Sequence, residues 1–181
     1  MEKTELYETF QKGLTSVNGE SYIAKKADVA ATLTKIFQDK DTHEVALVET
    51  PLLKEVGAVD ALKAAGIKVD LDHFRKNAPN DKGGVTEADY GIANLGSIVQ
   101  MKDDIDCRIV ETVSDVYVGI IKLSKIVDTF DDMIDIMADT KPFPKFAGII
   151  TGPSRTADIE CVGTVGVHGP RQYSVIVVED A

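Results

Sequence analysis

Residues 45–71 read VALVETPLLKEVGAVDALKAAGIKVDL, and this stretch decides the fold. Val45 to Val48 is a short apolar run that ends at Pro51. Leu52, Leu53, Val56, Val59 and Leu62 then recur at helical spacing as far as Gly66, and Ile67 to Leu71 reads as another strand. Strand, helix and strand in that order make a β-α-β unit, which favours a parallel pair with a right-handed crossover.

On the N-terminal side, Leu6, Phe10 and Leu14 recur at spacing four. Val29, Leu33, Ile36 and Phe37 do the same after the Asn18-Gly19 break. This predicts two helices before any strand and a helical N-terminal part over residues 1–42. On the other side, residues 75–84, RKNAPNDKGG, are loop by composition. Ala88, Tyr90 and Ile92 then alternate with Glu87, Asp89 and Gly91, and an apolar run resumes from Ile98 to Met101, a hairpin with Asn94 to Ser97 at its tip. Val116 to Ile121 reads as a buried strand. Val127 to Met137 reads as a helix with Val127, Phe130, Ile134 and Met137 on one side. Phe146 to Ile150 and Val175 to Val178 read as the closing strands, with the Gly169-Pro170 break between them. The order predicts a single α/β domain over residues 1–181, mostly parallel with an antiparallel insertion.

Bulk properties narrow the function. A chain of 181 residues suits one domain, burying about 70% of its unfolded surface. Its 30 acidic against 20 basic side chains give a formal charge of -10, a field that repels nucleic-acid backbones and anionic lipid surfaces. The first residues, MEKTELYETF, are charged from the second position, and no apolar run approaches the ~18 residues of a spanning helix. The expectation is a cytoplasmic protein with no nucleic-acid partner and no membrane insertion. Cys107 and Cys161 stand apart from each other and from any CxxC or Cys/His cluster, so the chain is expected to hold neither disulfide nor metal, its thiols buried and reduced.

Residues 150–160, ITGPSRTADIE, crowd a glycine, a proline, hydroxyls, an arginine and carboxylates into the turn after a strand. In the structural reading Ser154 is the N-cap of a short helix whose dipole Asp158 and Glu160 complement; no capping box is present, because Ala157 holds the third position after Ser154. In the functional reading, free amides at the helix start after Gly152, the Ser154 and Thr156 hydroxyls and the Arg155 guanidinium form an anion site at a strand's carboxyl end, suited to a carboxylate or phosphate. No Walker loop or GxGxxG accompanies it. Asn94 and Ser97 at the hairpin tip are either a polar turn or the border of that site. His168, in Val167-His168-Gly169-Pro170, is either a turn residue or an acid-base group. Asp128, Asp131, Asp132, Asp135 and Asp139 read as the solvated face of their helix.

Two phrases carry a resemblance. Val85-Thr86-Glu87-Ala88-Asp89-Tyr90-Gly91-Ile92-Ala93-Asn94-Leu95-Gly96-Ser97 is one; Gly152-Pro153-Ser154-Arg155-Thr156-Ala157-Asp158-Ile159-Glu160 followed by Gly166-Val167-His168-Gly169-Pro170 is the other, and the more specific. Together with the order of elements from about residue 25 onward, they resemble the LUD domain family, that of the lactate utilisation protein LutC and its relative YkgG. The resemblance implies a three-layer α/β/α fold like that of glucosamine-6-phosphate deaminase, ribose-5-phosphate isomerase and the CoA-transferases. It also implies a place beside iron-sulfur partner proteins that oxidise L-lactate to pyruvate. The chain departs from the family at Asn94, where glutamate is usual, and at Ser97, where threonine is common. Glu111-Thr112-Val113-Ser114-Asp115 lacks the family's prolyl-prolyl and histidine pattern.

The expected role is therefore the non-metal subunit of a lactate-oxidising complex, binding a small anion, with the iron-sulfur clusters in its partners. A stand-alone enzyme acting on a sugar phosphate or CoA ester, and a small-anion binding module without chemistry, remain as alternatives.

Overall fold

The computed structural model describes residues 2–78, 82–157 and 163–179. The predicted β-α-β unit is present. β2 (Glu44–Leu47) and β3 (Lys68–Asp70) pair in parallel, Glu44 opposite Lys68. The helix between them is in two pieces, α3 (Pro51–Glu55) and α4 (Ala58–Ala64), because Gly57 takes a left-handed conformation at φ +65°. Thr50 caps the first piece by accepting from the Leu53 N–H.

N-terminal to the unit the structure corrects the expectation of two helices before any strand. α1 (Lys3–Ser16) and α2 (Val29–Asp39) are separated by strand β1 (Glu20–Lys25), so residues 1–42 are not wholly helical. β1 is an edge strand with only Ala24 buried, so it shows no apolar alternation. The loop expected over residues 75–84 holds α5 (Phe74–Asn77) and the start of β4 (Gly83–Glu87), residues 79–81 lying outside the described set. Gly83 and Gly84 are there because the sheet is covered closely. A Cβ on Gly84 would run into the Ser114 Oγ, and one on Gly83 would meet Val45 and Phe37.

Among the described residues the main sheet has the order β1-β12-β7-β4-β2-β3, with β7 at Val116–Lys122 and β12 at Gln172–Glu179, every pair parallel. Successive residues serve opposite faces. Val116, Val118, Ile120, Ile176 and Val178 pack with Leu33, Phe37, Leu53 and Leu62 from α2, α3 and α4. Tyr117, Ile121, Tyr173, Val175 and Val177 pack instead with Phe10 and Leu14 of α1 and with Ile98. On the β2 and β4 half, that second face is covered by α5 and by α6 (Asp106–Val113). The result is the three-layer α/β architecture, with a mostly parallel main sheet.

The hairpin is larger than an insertion of two strands. β5 (Tyr90–Ile92) and β6 (Ser97–Lys102) are joined by β8 (Ile126–Val127) and β9 (Phe146–Ile150) in a second sheet of order β8-β5-β6-β9. The helix expected from Val127 begins later, as α7 (Phe130–Asp139), because Thr129 and Asp132 form a capping box. Its buried side is Met133, with Ile136 and Met137 partly covered; Phe130 and Ile134 are exposed. The apolar side is thus rotated from the one that spacing suggests. Asp131, Asp132, Asp135 and Asp139 are exposed, and Asp132 is in addition the reciprocal partner of the Thr129 cap.

Candidate functional site

The turn after Ile150 is not a helix start. Arg155–Thr156 is a short strand, β10, pairing antiparallel with β11 (Thr164–Val165). The expected Ser154 N-cap and its helix-start amides are therefore replaced by extended chain, while Asp158 and Glu160 lie outside the described residues. Nor does the turn follow a strand of the main sheet. It follows β9 of the second sheet, and what stands beside it are the amino ends of main-sheet strands. Pro170 leads into β12, and the carbonyl of Asp115, just before β7, accepts from the Arg171 and Gln172 N–H groups.

Ser154 joins the two motifs. Its N–H donates to the Pro170 carbonyl at 2.9 Å, its carbonyl accepts from the Gly166 N–H at 3.0 Å, and its Oγ accepts from the His168 N–H at 3.4 Å. Gly152, at φ +73°, backs onto the end of α1, where a Cβ would stand 2.7 Å from the Val17 carbonyl oxygen. The loops so fixed border an open cavity of about 480 Å³, together with the end of α6 and the end of β9. Gly152, Ser154, Arg155, Thr156 and His168 all line it. Arg155 and His168 are exposed, and Gly152 is buried.

Asn94 and Ser97 are placed differently. Asn94 is exposed in the turn between β5 and β6; its N–H donates to the Asp128 carbonyl, the turn packs on α1 at Gly13, and Asn94 is not among the lining residues. Ser97 is fully buried, and its hydroxyl meets that of Thr151, a lining residue, at 2.7 Å. Ser97 reaches the cavity wall through Thr151, and Asn94 does not reach it.

Glu111 is the lining residue that sequence reasoning missed. It is 7% exposed, and its Oε2 has no hydrogen-bond partner among the described residues. Burial pushes its carboxyl up to about 7, against the opposing pull of Arg108. Its position at the last turn of α6, where the helix dipole is negative, works in the same direction. Thr156 Oγ1, of another lining residue, is also buried without a partner among the described residues. The signal lay in the helical register: Cys107, Val110, Glu111 and Ser114 share the covered side of α6, and a carboxylate in that register is out of place unless it has a task.

A polar ladder runs inward from the cavity wall. The Tyr173 hydroxyl donates to the Ile150 carbonyl at 3.4 Å and its ring lies 5.6 Å from that of Tyr117; the Tyr117 hydroxyl meets Thr86 Oγ1 at 2.6 Å, to which Gln100 Nε2 donates. Burial raises both tyrosines far above their ordinary range, so the ladder is neutral. Burial likewise pushes the Cys107 thiol up to about 11, which removes it as a nucleophile; Cys161 lies outside the described residues. Among the described residues, no group of His, Cys, Asp and Glu is arranged to hold a metal ion, and no helix is long and apolar enough to cross a membrane.

The LUD domain model matches residues 7–178. Lactate utilization protein C of Halalkalibacterium halodurans is 25% identical over 97% of this chain and 80% of its own length. YkgG of Escherichia coli is 28% identical over 87% of this chain and 71% of its own length. Lactate utilization protein C of Macrococcus caseolyticus is 39% identical over a shorter stretch, 54% of this chain, and the match spans only 44% of that protein. Among solved structures, a DUF162 family protein from Deinococcus radiodurans superposes with a TM-score of 0.69 over 98% of this chain and 99% of that one, at 16% identity, which establishes likeness of fold.

Proposed function

The chain belongs to the LUD domain family, and from that membership and the geometry of the cavity we propose that it is the LutC-like component of a lactate-utilisation system. In this reading it binds a small carboxylate and works beside iron-sulfur partner proteins that oxidise L-lactate to pyruvate, itself carrying no cluster. The observation that carries the reading is the convergence of the two motifs: Ser154 laces residues 152–156 to residues 166–170, and together they place Arg155, Thr156 and His168 around one cavity. Arg155 offers a bidentate fork to a carboxylate, and His168 and Thr156 can orient the oxygen on the neighbouring carbon. At about 480 Å³ the cavity exceeds a three-carbon acid, which leaves room for a partner's group to approach the bound molecule.

The test is an anaerobic pull-down from the native host, with lactate-dependent electron transfer assayed in the recovered complex. Recovery of iron-sulfur proteins whose lactate oxidation fails without this chain supports the reading. Turnover of a sugar phosphate or CoA ester by the isolated chain replaces it with the stand-alone enzyme, a reading that Glu111 favours by supplying an acid-base group near neutral pH.

A further inference from the structure

Glu111 has no structural need to be where it is. The side chain is 7% exposed and stands in the wall of a cavity where an anion is to be held; among the described residues it makes no ion pair, and Oε2, itself closed off from solvent, finds no donor. An ionised carboxylate there would repel a ligand carboxylate held in the same cavity. A neutral one would instead donate to it. Building on the small-carboxylate reading of the cavity, we propose that the pocket takes its anion together with one proton, held on the Glu111 carboxyl, whose O–H donates to the bound anion.

The surroundings of Glu111 favour the neutral acid in the empty protein. On its own helix stand Arg108, which opposes it, and Cys107, a neutral thiol. β7 and β12 contribute Tyr117 and Tyr173, both neutral, and β4 and β6 present Thr86 and Gln100, which do not titrate. Arg75 of α5 acts at the other end of α6, on Asp106. Across the cavity are Arg155 and His168. The ligand's negative charge strengthens Glu111's hold on its proton, so binding and protonation are coupled in both directions. The proton is conserved: below neutral pH it is already on Glu111 when the anion arrives, and above neutral pH it is taken from buffer as the anion binds.

Titration calorimetry of the full chain with L-lactate and with pyruvate, from pH 6 to 8.5, in two buffers of different ionisation enthalpy, tests this. Neither ligand titrates in that range. The expected result is an affinity that is flat below pH 7 and falls by up to about tenfold per pH unit above it, with buffer-dependent heat showing proton uptake toward one per anion. Glu111→Gln, which keeps a donor but cannot ionise, should bind with no such slope and no proton uptake. A wild-type affinity independent of pH, or a Glu111→Gln variant with the wild-type slope, overturns the proposal. Absence of binding by either anion at any pH removes the small-carboxylate reading and this inference together, whereas pH-independent binding removes only this one.

Discussion

The Ser97 hydroxyl and the Thr151 hydroxyl meet at 2.7 Å, tying the start of β6 to the wall of the cavity 54 residues away in sequence. Ser97 is fully buried, so each hydroxyl depends on the other more than an exposed pair would. Ser97→Ala and Thr151→Ala should each lower stability by about 1 kcal/mol, and the double variant by less than the sum, as a double-mutant cycle in urea will show. Full additivity would mean that the two hydroxyls are not coupled.

Ser154 and Arg155 are adjacent and should fail differently. Ser154→Ala removes the acceptor for the His168 N–H and loosens the junction of the two loops, at about 1 kcal/mol of stability. Arg155 is exposed, so Arg155→Ala should leave the denaturation midpoint unchanged while weakening a bound small anion by about 1.5 to 3 kcal/mol, the value of a charged hydrogen bond. Thermal shift with lactate, pyruvate, sugar phosphates and CoA esters, run on both variants, separates the two effects.

Glu111 also makes a claim on stability. Its carboxyl is raised in the folded protein from 4.5 to about 7, so the folded state binds more protons than the unfolded state between those values. The group's contribution is therefore fully favourable below pH 4.5 and is lost as pH rises through 7. Glu111→Gln removes that loss. Relative to wild type, the variant should gain on the order of 3 kcal/mol across that interval and nothing further above it, measured as the difference of two urea-derived stability profiles. A difference that does not change with pH would show Glu111 to be ionised throughout.

Thr129 caps α7, and Asp131 and Asp135 lie on its exposed side. Thr129→Ala should cost about 1 kcal/mol, whereas Asp131→Asn with Asp135→Asn should leave the midpoint within error. Loss of partner capture by the double aspartate variant, with circular dichroism unchanged, would instead mark that side of α7 as an interface.

What could be read from sequence followed burial. β7 and β12, covered on both faces, show as apolar runs; α2 shows its spacing because Leu33, Ile36 and Phe37 all face the sheet. β1 was hidden because its edge position leaves only Ala24 covered, and β4 because Gly83 and Gly84 imitate a loop while serving close packing under Ser114. α6 was missed because its covered side carries Cys107, Glu111 and Ser114 where aliphatic residues would have announced it. The turn at Gly152 was conspicuous, but its shape was not local information. Whether Arg155 begins a helix or a strand depends on Val165, its partner across β10 and β11, and whether β9 belongs to the main sheet or the second one depends on β6.

The place of β12 has a consequence for the chain as it is made. β12 lies between β1 and β7, and both pair with it along its length. Until residues 172–179 have left the ribosome, β1 has no neighbour and β7 keeps an open apolar edge, while everything needed for the β2, β3 and β4 half has already emerged. A nascent chain halted before that point presents two unfilled strand edges flanking a slot, the kind of surface that captures strands from neighbouring chains. The main sheet is thus completed by a wedge, and the interval before the wedge arrives is the one in which a holding chaperone would matter most.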